Sequence, residues 1–380
     1  MKLGRFFYLF ARIAAVAVLL ASQQLAAVRT FGQPVRYRVP GHPIALVEGD
    51  FNEDGNLDLA TADFTAKSLT VLYGNADGTF NVGPSYSVDS PVSLAASDFN
   101  HDAHLDLVST IFGATSSVIV LLGAGDGTFG AGQSCQTDSY PISIAVGDFN
   151  EDGDQDLVTA NFNQDTVDVL FGNGDGTFQS AMSVPSGFSP TAIAAADLNG
   201  DGRLDLAVVN GCGSDPSCQS AVGTVLILIG NGHGSFSAGT QFSTETWPVA
   251  LTIADFNADG KLDLAVANSE SAQTQTFLGN GDGTFALAGA NLVGTRCSSL
   301  TPGDFNNDGI LDLAVTNADP HDVVILPGKG NGTFRQAAQF STGGFLPLSV
   351  VAGDFNRDGN LDLAVANASS NTVTVLLSNR

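Results

Sequence analysis

Seven times along the chain, four oxygen-bearing side chains stand at positions 1, 3, 5 and 9 of a nonapeptide that reads, with small variations, Asp-Phe-Asn-x-Asp-Gly-x-x-Asp. The first copies supply Asp50, Asn52, Asp54 and Asp58; Asp98, Asn100, Asp102 and Asp106; then Asp148, Asn150, Asp152 and Asp156. The series continues with Asp197, Asn199, Asp201 and Asp205; Asp255, Asn257, Asp259 and Asp263; Asp304, Asn306, Asp308 and Asp312; and Asp354, Asn356, Asp358 and Asp362. Oxygen donors without nitrogen or sulfur suit a hard cation, and Ca²⁺ takes six to eight oxygens at about 2.3–2.6 Å. A backbone carbonyl at position 7 and water would complete the shell. The pattern predicts up to seven calcium ions, one per copy.

Glycine at position 6 permits the positive φ that turns the chain back around an ion. Six copies have it, at Gly55, Gly153, Gly202, Gly260, Gly309 and Gly359. In the second copy Ala103 stands there, flanked by His101 and His104. A non-glycine residue at positive φ costs about 1 kcal/mol, so this site is expected to fill last or stay empty. Asp, Asn and Gly also make good turns, but a turn needs one or two of them, whereas every copy keeps the same four oxygens. EF-hand and dockerin loops run on to a twelfth position beside helices. Here that position is Thr61, Ser109, Thr159, Val208, Val266, Val315 or Val365, inside a β-branched run.

The copies start 48, 50, 49, 58, 49 and 50 residues apart, and the one long interval holds a Gly/Ser/Asp/Pro insertion with Cys212 and Cys218. Each copy is preceded by a short apolar run, such as Ile142–Val146, and followed by Leu-Asp-Leu-Ala-Val or a relative of it. Next come a polar loop, a run such as Val118–Leu122, and a glycine-rich turn of the type Gly172-Asn173-Gly174-Asp175-Gly176-Thr177-Phe178. A fourth, more polar run closes the unit. Four short strands per repeat of nearly 50 residues is the pattern of a propeller blade. No segment has apolar residues at 3.6 spacing over ten positions, which excludes a helical solenoid. The acids of the glycine-rich turns, Asp77, Asp126, Asp175 and Asp282, are read as strand-joining positions, since His233 and Asn331 break their series.

The expected fold is therefore all-β: a seven-bladed β-propeller with four-stranded blades, forming a single domain over residues 28–380. The last unit ends after three strands, and Thr30–Val39 matches the missing fourth, with Phe31 in the place of Phe80 or Phe129. The N-terminal strand is expected to complete the last blade and so remove an open sheet edge. The residues at loop position 2, Phe51, Phe99, Phe149, Phe256, Phe305 and Phe355 with Leu198 in the odd unit, are expected to pack between blades.

Whole-chain numbers narrow the function classes. The 380 residues carry a formal charge of −25, and without the three cations of residues 1–27 it is −28. Such acidity excludes phosphate-backbone binding, which needs clustered Lys and Arg. Three carboxylates in each of seven loops make 21 of the 39 acidic residues. Lys2, Arg5 and Arg12 precede the apolar run Ile13–Leu20 and the small residues Ala21, Ala26 and Ala27, so residues 1–27 read as a cleavable export signal. Secretion, or a cell-surface or periplasmic location, is expected, with no membrane span in the mature chain. In an oxidising compartment Cys212 and Cys218 are close enough in sequence for a local bridge, while Cys135 and Cys297 lie in unrelated repeats.

With these residues on the page, the chain resembles the FG-GAP or VCBS repeats found in the propeller head of integrin α-subunits and in many secreted bacterial proteins. The resemblance spans Phe31 to Leu377 and rests on the nonapeptide together with Gly-Asp-Gly-Thr-Phe. It implies calcium in the loop joining the first and second strands of each blade. Ala103, Leu198 and the Cys212/Cys218 insertion depart from the pattern. It implies much less about a ligand, because the family is diverse in activity.

If the calcium loops share one face, the loops joining strands two to three and four to one share the other. That face is expected to carry Phe64, Phe112 and Phe162, and Tyr140, Phe188, Trp247 and Phe345 from loops between blades. Aromatic side chains there can stack on sugars, anchor a protein or pack on neighbouring loops. The expected function is a monomeric, non-catalytic binding or adhesion module for an extracellular glycan or protein. The alternative is a calcium-dependent carbohydrate-active enzyme such as a polysaccharide lyase, which needs a base and a cation near one substrate. The five histidines, His42, His101, His104, His233 and His321, are scattered over different repeats, and His42 and His321 are the pair that could share the second face.

Overall fold

The computed structural model describes residues 31–113, 116–138, 140–213, 215 and 222–379. These residues form seven four-stranded antiparallel sheets, with no α-helix among them and one 3₁₀ turn at Ala368–Ser370. The chain is a seven-bladed propeller. In the first blade the strands are Pro43–Gly49, Asp58–Asp63, Ser68–Gly74 and Phe80–Ser87, paired in that order. The first strand of every blade touches the first strand of the next, and Pro43–Gly49 touches Pro347–Gly353, so the ring closes around these inner strands.

The strand patterns follow from position in the ring. Asp58–Asp63 is buried at all its positions, as is its equivalent in every other blade, because adjacent blades cover both faces of the second strand. Such strands read as continuous apolar runs rather than alternating ones. Outer strands such as Phe80–Ser87 are mostly exposed after the first residue.

Aromatic rings fill the blade interfaces as expected. The phenylalanine at loop position 2 of one blade meets the turn phenylalanine of the next edge to face. The centroid distances are 5.8 Å for Phe51 and Phe129, 5.7 Å for Phe99 and Phe178, and 5.8 Å for Phe149 and Phe236. Phe256 and Phe334 lie 5.7 Å apart, and Phe355 and Phe80 5.6 Å. Leu198 fills the same slot beside Phe285, and Phe305 shares a buried cluster with Phe31.

Ring closure is made by the N-terminal strand. Val35–Arg38 pairs antiparallel with Thr372–Leu376, completing the sheet that contains Asp362–Asn367 and Pro347–Gly353. Gly32 donates its N–H to the Leu377 carbonyl at 2.7 Å, and Phe31 bridges to Ser378. Phe31 thus stands where a turn phenylalanine stands in other blades. Cys212 is disulfide-bonded and Cys135 and Cys297 are free thiols. Cys218, its expected partner, and residues 1–27, the expected export signal, lie outside the described residues. No helix among the described residues is long and apolar enough to cross a membrane.

Candidate functional site

Each nonapeptide joins the first strand of its blade to the second, and all seven fold alike. In the third blade Asp148 accepts the N–H of Asp152 (3.2 Å) and of Gly153 (3.0 Å) on its two oxygens. Asn150 Oδ1 accepts the Asp152 N–H at 2.9 Å, and Asp152 Oδ1 accepts the Asp154 N–H at 2.9 Å. The bonds from positions 5 and 6 to the first aspartate recur in every loop. Position 6 is left-handed throughout, at φ 82° for Gly55 and 94° for Gly153. Ala103 takes the same conformation at φ 69° and still donates to Asp98 at 2.9 Å.

Position 9 has a second task that spacing did not suggest. Asp58 is fully buried and accepts the N–H of Phe51 (3.0 Å) on one oxygen and of Gly74 (2.7 Å) on the other. Each of the other six blades repeats both bonds, through Asp106, Asp156, Asp205, Asp263, Asp312 and Asp362. This aspartate therefore ties the loop to the end of the third strand. Burial pushes Asp58, Asp156 and Asp362 up to about 6 and Asp312 to about 7. The carboxylates at positions 1 and 5 add to the rise, while the donated N–H groups oppose it.

Among the described residues, no three His, Cys, Asp or Glu side chains are grouped as a ready cage. The loop oxygens are turned onto backbone N–H groups and asparagine amides. A carboxylate has about four lone-pair sites, and Asp148 uses two of them for the bonds above.

The side chains at positions 4 and 7, for which the sequence indicated no contact, connect the loops. Position 4 is also left-handed in all seven, from Glu53 at φ 56° to Gly200 at 78°. Its side chain meets position 7 of the following loop in four places. Glu53 pairs with His104, and His101 Nε2 lies 2.7 Å from Asp154. Glu151 faces Arg203 at 3.6 Å, and Asn307 donates to Asn360 at 2.7 Å. Hydrogen bonds to Glu53 and Asp154 raise His104 and His101 above the ordinary histidine value. No repeated residue type marks these pairs, so periodicity could not find them.

The opposite face carries its own sevenfold feature. The residue just before each inner strand, His42, Ser90, Tyr140, Ser189, Trp247, Arg296 or Leu346, is left-handed, with φ between 46° and 62°. Each of these carbonyls accepts an N–H from the residue just after its second strand: Phe64, Phe112, Phe162, Gly211, Ser269, Ala318 or Ala368. The backbone is uniform and the side chains are not. Aromatic residues gather over the first three blades, where Phe64 and Phe112 lie 6.2 Å apart and Phe112 and Tyr140 4.6 Å. Phe162, Phe188 and Trp247 are half-buried like these, so most of the expected aromatic surface is partly packed. Phe345 is 61% exposed, with its ring edge to face with His321.

The sequence pattern of the FG-GAP-like repeat matches residues 50–109, 98–159, 148–208, 217–266, 255–315 and 304–365. The chain belongs to this family. Six successive matches cover most of the FG-GAP ring; five run from one nonapeptide past the start of the next, and the fourth begins at residue 217, within the insertion. No curated protein matches the chain. Among solved structures, BBS1N in complex with ARL6DN is similar at 14% identity and a TM-score of 0.64, over 93% of this chain and 98% of that one. The periplasmic gluconolactonase of Pseudomonas aeruginosa is 17% identical with a TM-score of 0.62, over 90% and 92%. A lectin of Agrocybe aegerita that recognises non-reducing terminal N-acetylglucosamine is 19% identical with a TM-score of 0.54, over 93% and 96%. At these identities the likeness establishes that the FG-GAP chain shares their fold.

Proposed function

We propose that this FG-GAP chain is an exported, non-catalytic binding module: a calcium-stiffened propeller that holds a glycan or a protein on the face opposite its metal loops. The observation that carries the reading is a contrast between the two faces. The seven loops keep the same oxygens in the same backbone, whereas the seven left-handed positions opposite keep the backbone and change residue, from His42 through Trp247 to Leu346. A scaffold held constant beneath side chains that vary is the division of labour expected of a recognition surface.

The loop residues fit calcium by their donors. Positions 1, 3 and 5 with the buried position 9 each offer a side-chain oxygen, and burial, with the like charges of Asp54 and Asp50 adding to it, raises Asp58. A divalent cation relieves that repulsion and, once bound, supplies rigidity rather than chemistry. The lectin binds a sugar and BBS1N is held in complex with ARL6DN, so propellers of this fold serve either class of partner.

Calorimetric titration of metal-depleted protein with Ca²⁺ tests the metal. Each filled site adds about 1.4 kcal/mol at tenfold excess over its dissociation constant, so the melting temperature should climb with calcium. No heat and no rise would sink the calcium reading. A glycan array and a lyase assay on the same protein test the rest: binding without turnover is expected, and turnover lost in His42→Ala or His321→Ala would replace the module with an enzyme.

A further inference from the structure

The contacts at positions 4 and 7 do not run evenly round the ring. Step by step, Glu53 reaches His104, His101 reaches Asp154, and Glu151 reaches Arg203. The second loop carries cation-forming histidines at both positions, and both neighbours present acids to it. Across the seam, Asn307 bonds Asn360 in the last loop, whose Arg357 Nη2 sits 2.6 Å from the point where a Cβ on Gly55 of the first loop would lie. The two remaining steps, Gly200 towards Lys261 and Ala258 towards Ile310, each have a side chain that cannot form a polar bond. The backbone bond from the next blade's turn to the position 2 carbonyl does not follow this arc. The position 2 carbonyl accepts an N–H from the next blade's turn both inside the arc, from Gly127 to Phe51, and outside it, from Gly283 to Leu198 and Gly332 to Phe256.

We propose that positions 4 and 7 are latches that couple neighbouring loops, so that ordering one loop orders the next along an arc from the first loop to the fourth, the sixth and seventh form a separate coupled pair, and the fifth orders alone. Position 4 lies between the proposed ligands at positions 3 and 5 and is left-handed. A latch that holds it therefore restricts the backbone on either side of two donors. A cation that orders one loop reduces the ordering left for the latched neighbour, and by reciprocity the neighbour helps the first. The metal half of this statement rests on the calcium reading; the mechanical half does not.

The double variant His101→Ala/His104→Ala of the full chain tests both halves. In metal-depleted protein, amide exchange should quicken about two- to fivefold in the first and third loops, the range that exposed ion pairs supply. Residues 255–263 should exchange as in the wild type. Quickening confined to residues 98–106, or spread equally over all seven loops, would overturn the latches. In the calcium titration, the variant should bind the same number of ions with a Hill coefficient closer to 1, and an unchanged steepness would overturn the coupling. If the wild type takes up no calcium, that reading alone fails and the exchange experiment still decides the latches. Arg203→Ala serves as a second variant: it should loosen the third and fourth loops and leave the fifth untouched.

Discussion

Asp63 ends the second strand of the first blade, where five other blades have Asn161, Asn210, Asn268, Asn317 and Asn367. It is fully buried; Thr70 donates to one oxygen at 2.5 Å and the other has no partner. Burial pushes its pKa up to about 7. The protonated acid is thus the form the fold favours, and its contribution is complete below about pH 4 and is lost as pH rises through about 7. Asp63→Asn should therefore raise the melting temperature at pH 8, and the advantage should shrink steadily as pH falls towards 4. Thermal melts across that range check it, and a pH-independent difference would show that Asp63 does not titrate in the fold. Asp58 makes the opposite bargain, since its two accepted N–H bonds hold a loop and a strand end together. Asp58→Ala leaves two buried donors unpaired, at about 1–3 kcal/mol each. Urea unfolding without metal should show that loss, and a change below about 0.5 kcal/mol would remove position 9 from the structural role. Both aspartates were visible as residues in the sequence. Which backbone groups they meet was not, because Gly74 lies 16 residues from Asp58.

At the scale of elements, the closing strand is the most exposed point of failure. Val35–Arg38 covers the edge of Thr372–Leu376, and its flanks bury Phe31 and Val39 to 8% and 3% exposure. Burying one such side chain contributes about 1.5–3 kcal/mol. Deleting residues 31–39 should cost at least that for each of the two and leave a bare sheet edge, which invites pairing with a second chain. Lower melting temperature together with concentration-dependent association is the expected result, and a truncated chain that melts like the intact one would refute strand closure. The blades themselves were legible because every repeat states the same strand and turn pattern. The left-handed residues before the inner strands were not legible, since six of the seven precede proline, whose neighbour ordinarily prefers extended backbone. The hydrogen bonds from residues such as Phe64 and Ala368 to those carbonyls hold them there.

For the whole molecule, charge and shape meet in one arrangement. The 21 loop carboxylates of a chain with formal charge −25 all lie on one face of the ring. Filling every loop with a divalent ion would move the charge of residues 28–380 from −28 to −14, which would make metal a determinant of how the molecule repels itself and its surroundings. The other face carries the Lys67–Asp89 and Arg296–Asp319 pairs beside aromatic side chains. Such a polarised ring presents two chemically distinct surfaces from a single repeated unit.

By itself the sequence determined the number of blades, the strand and turn plan, the oxygen set of each loop and the terminal segment that closes the ring. All of these are local patterns stated six or seven times over, and repetition makes a local signal unambiguous. Only the tertiary structure decided that position 9 clamps a strand end, that positions 4 and 7 join loops about 50 residues apart, and that most face aromatics are partly packed. Those outcomes depend on which residues meet when blades lie side by side, and that adjacency is a property of the closed ring rather than of any one repeat.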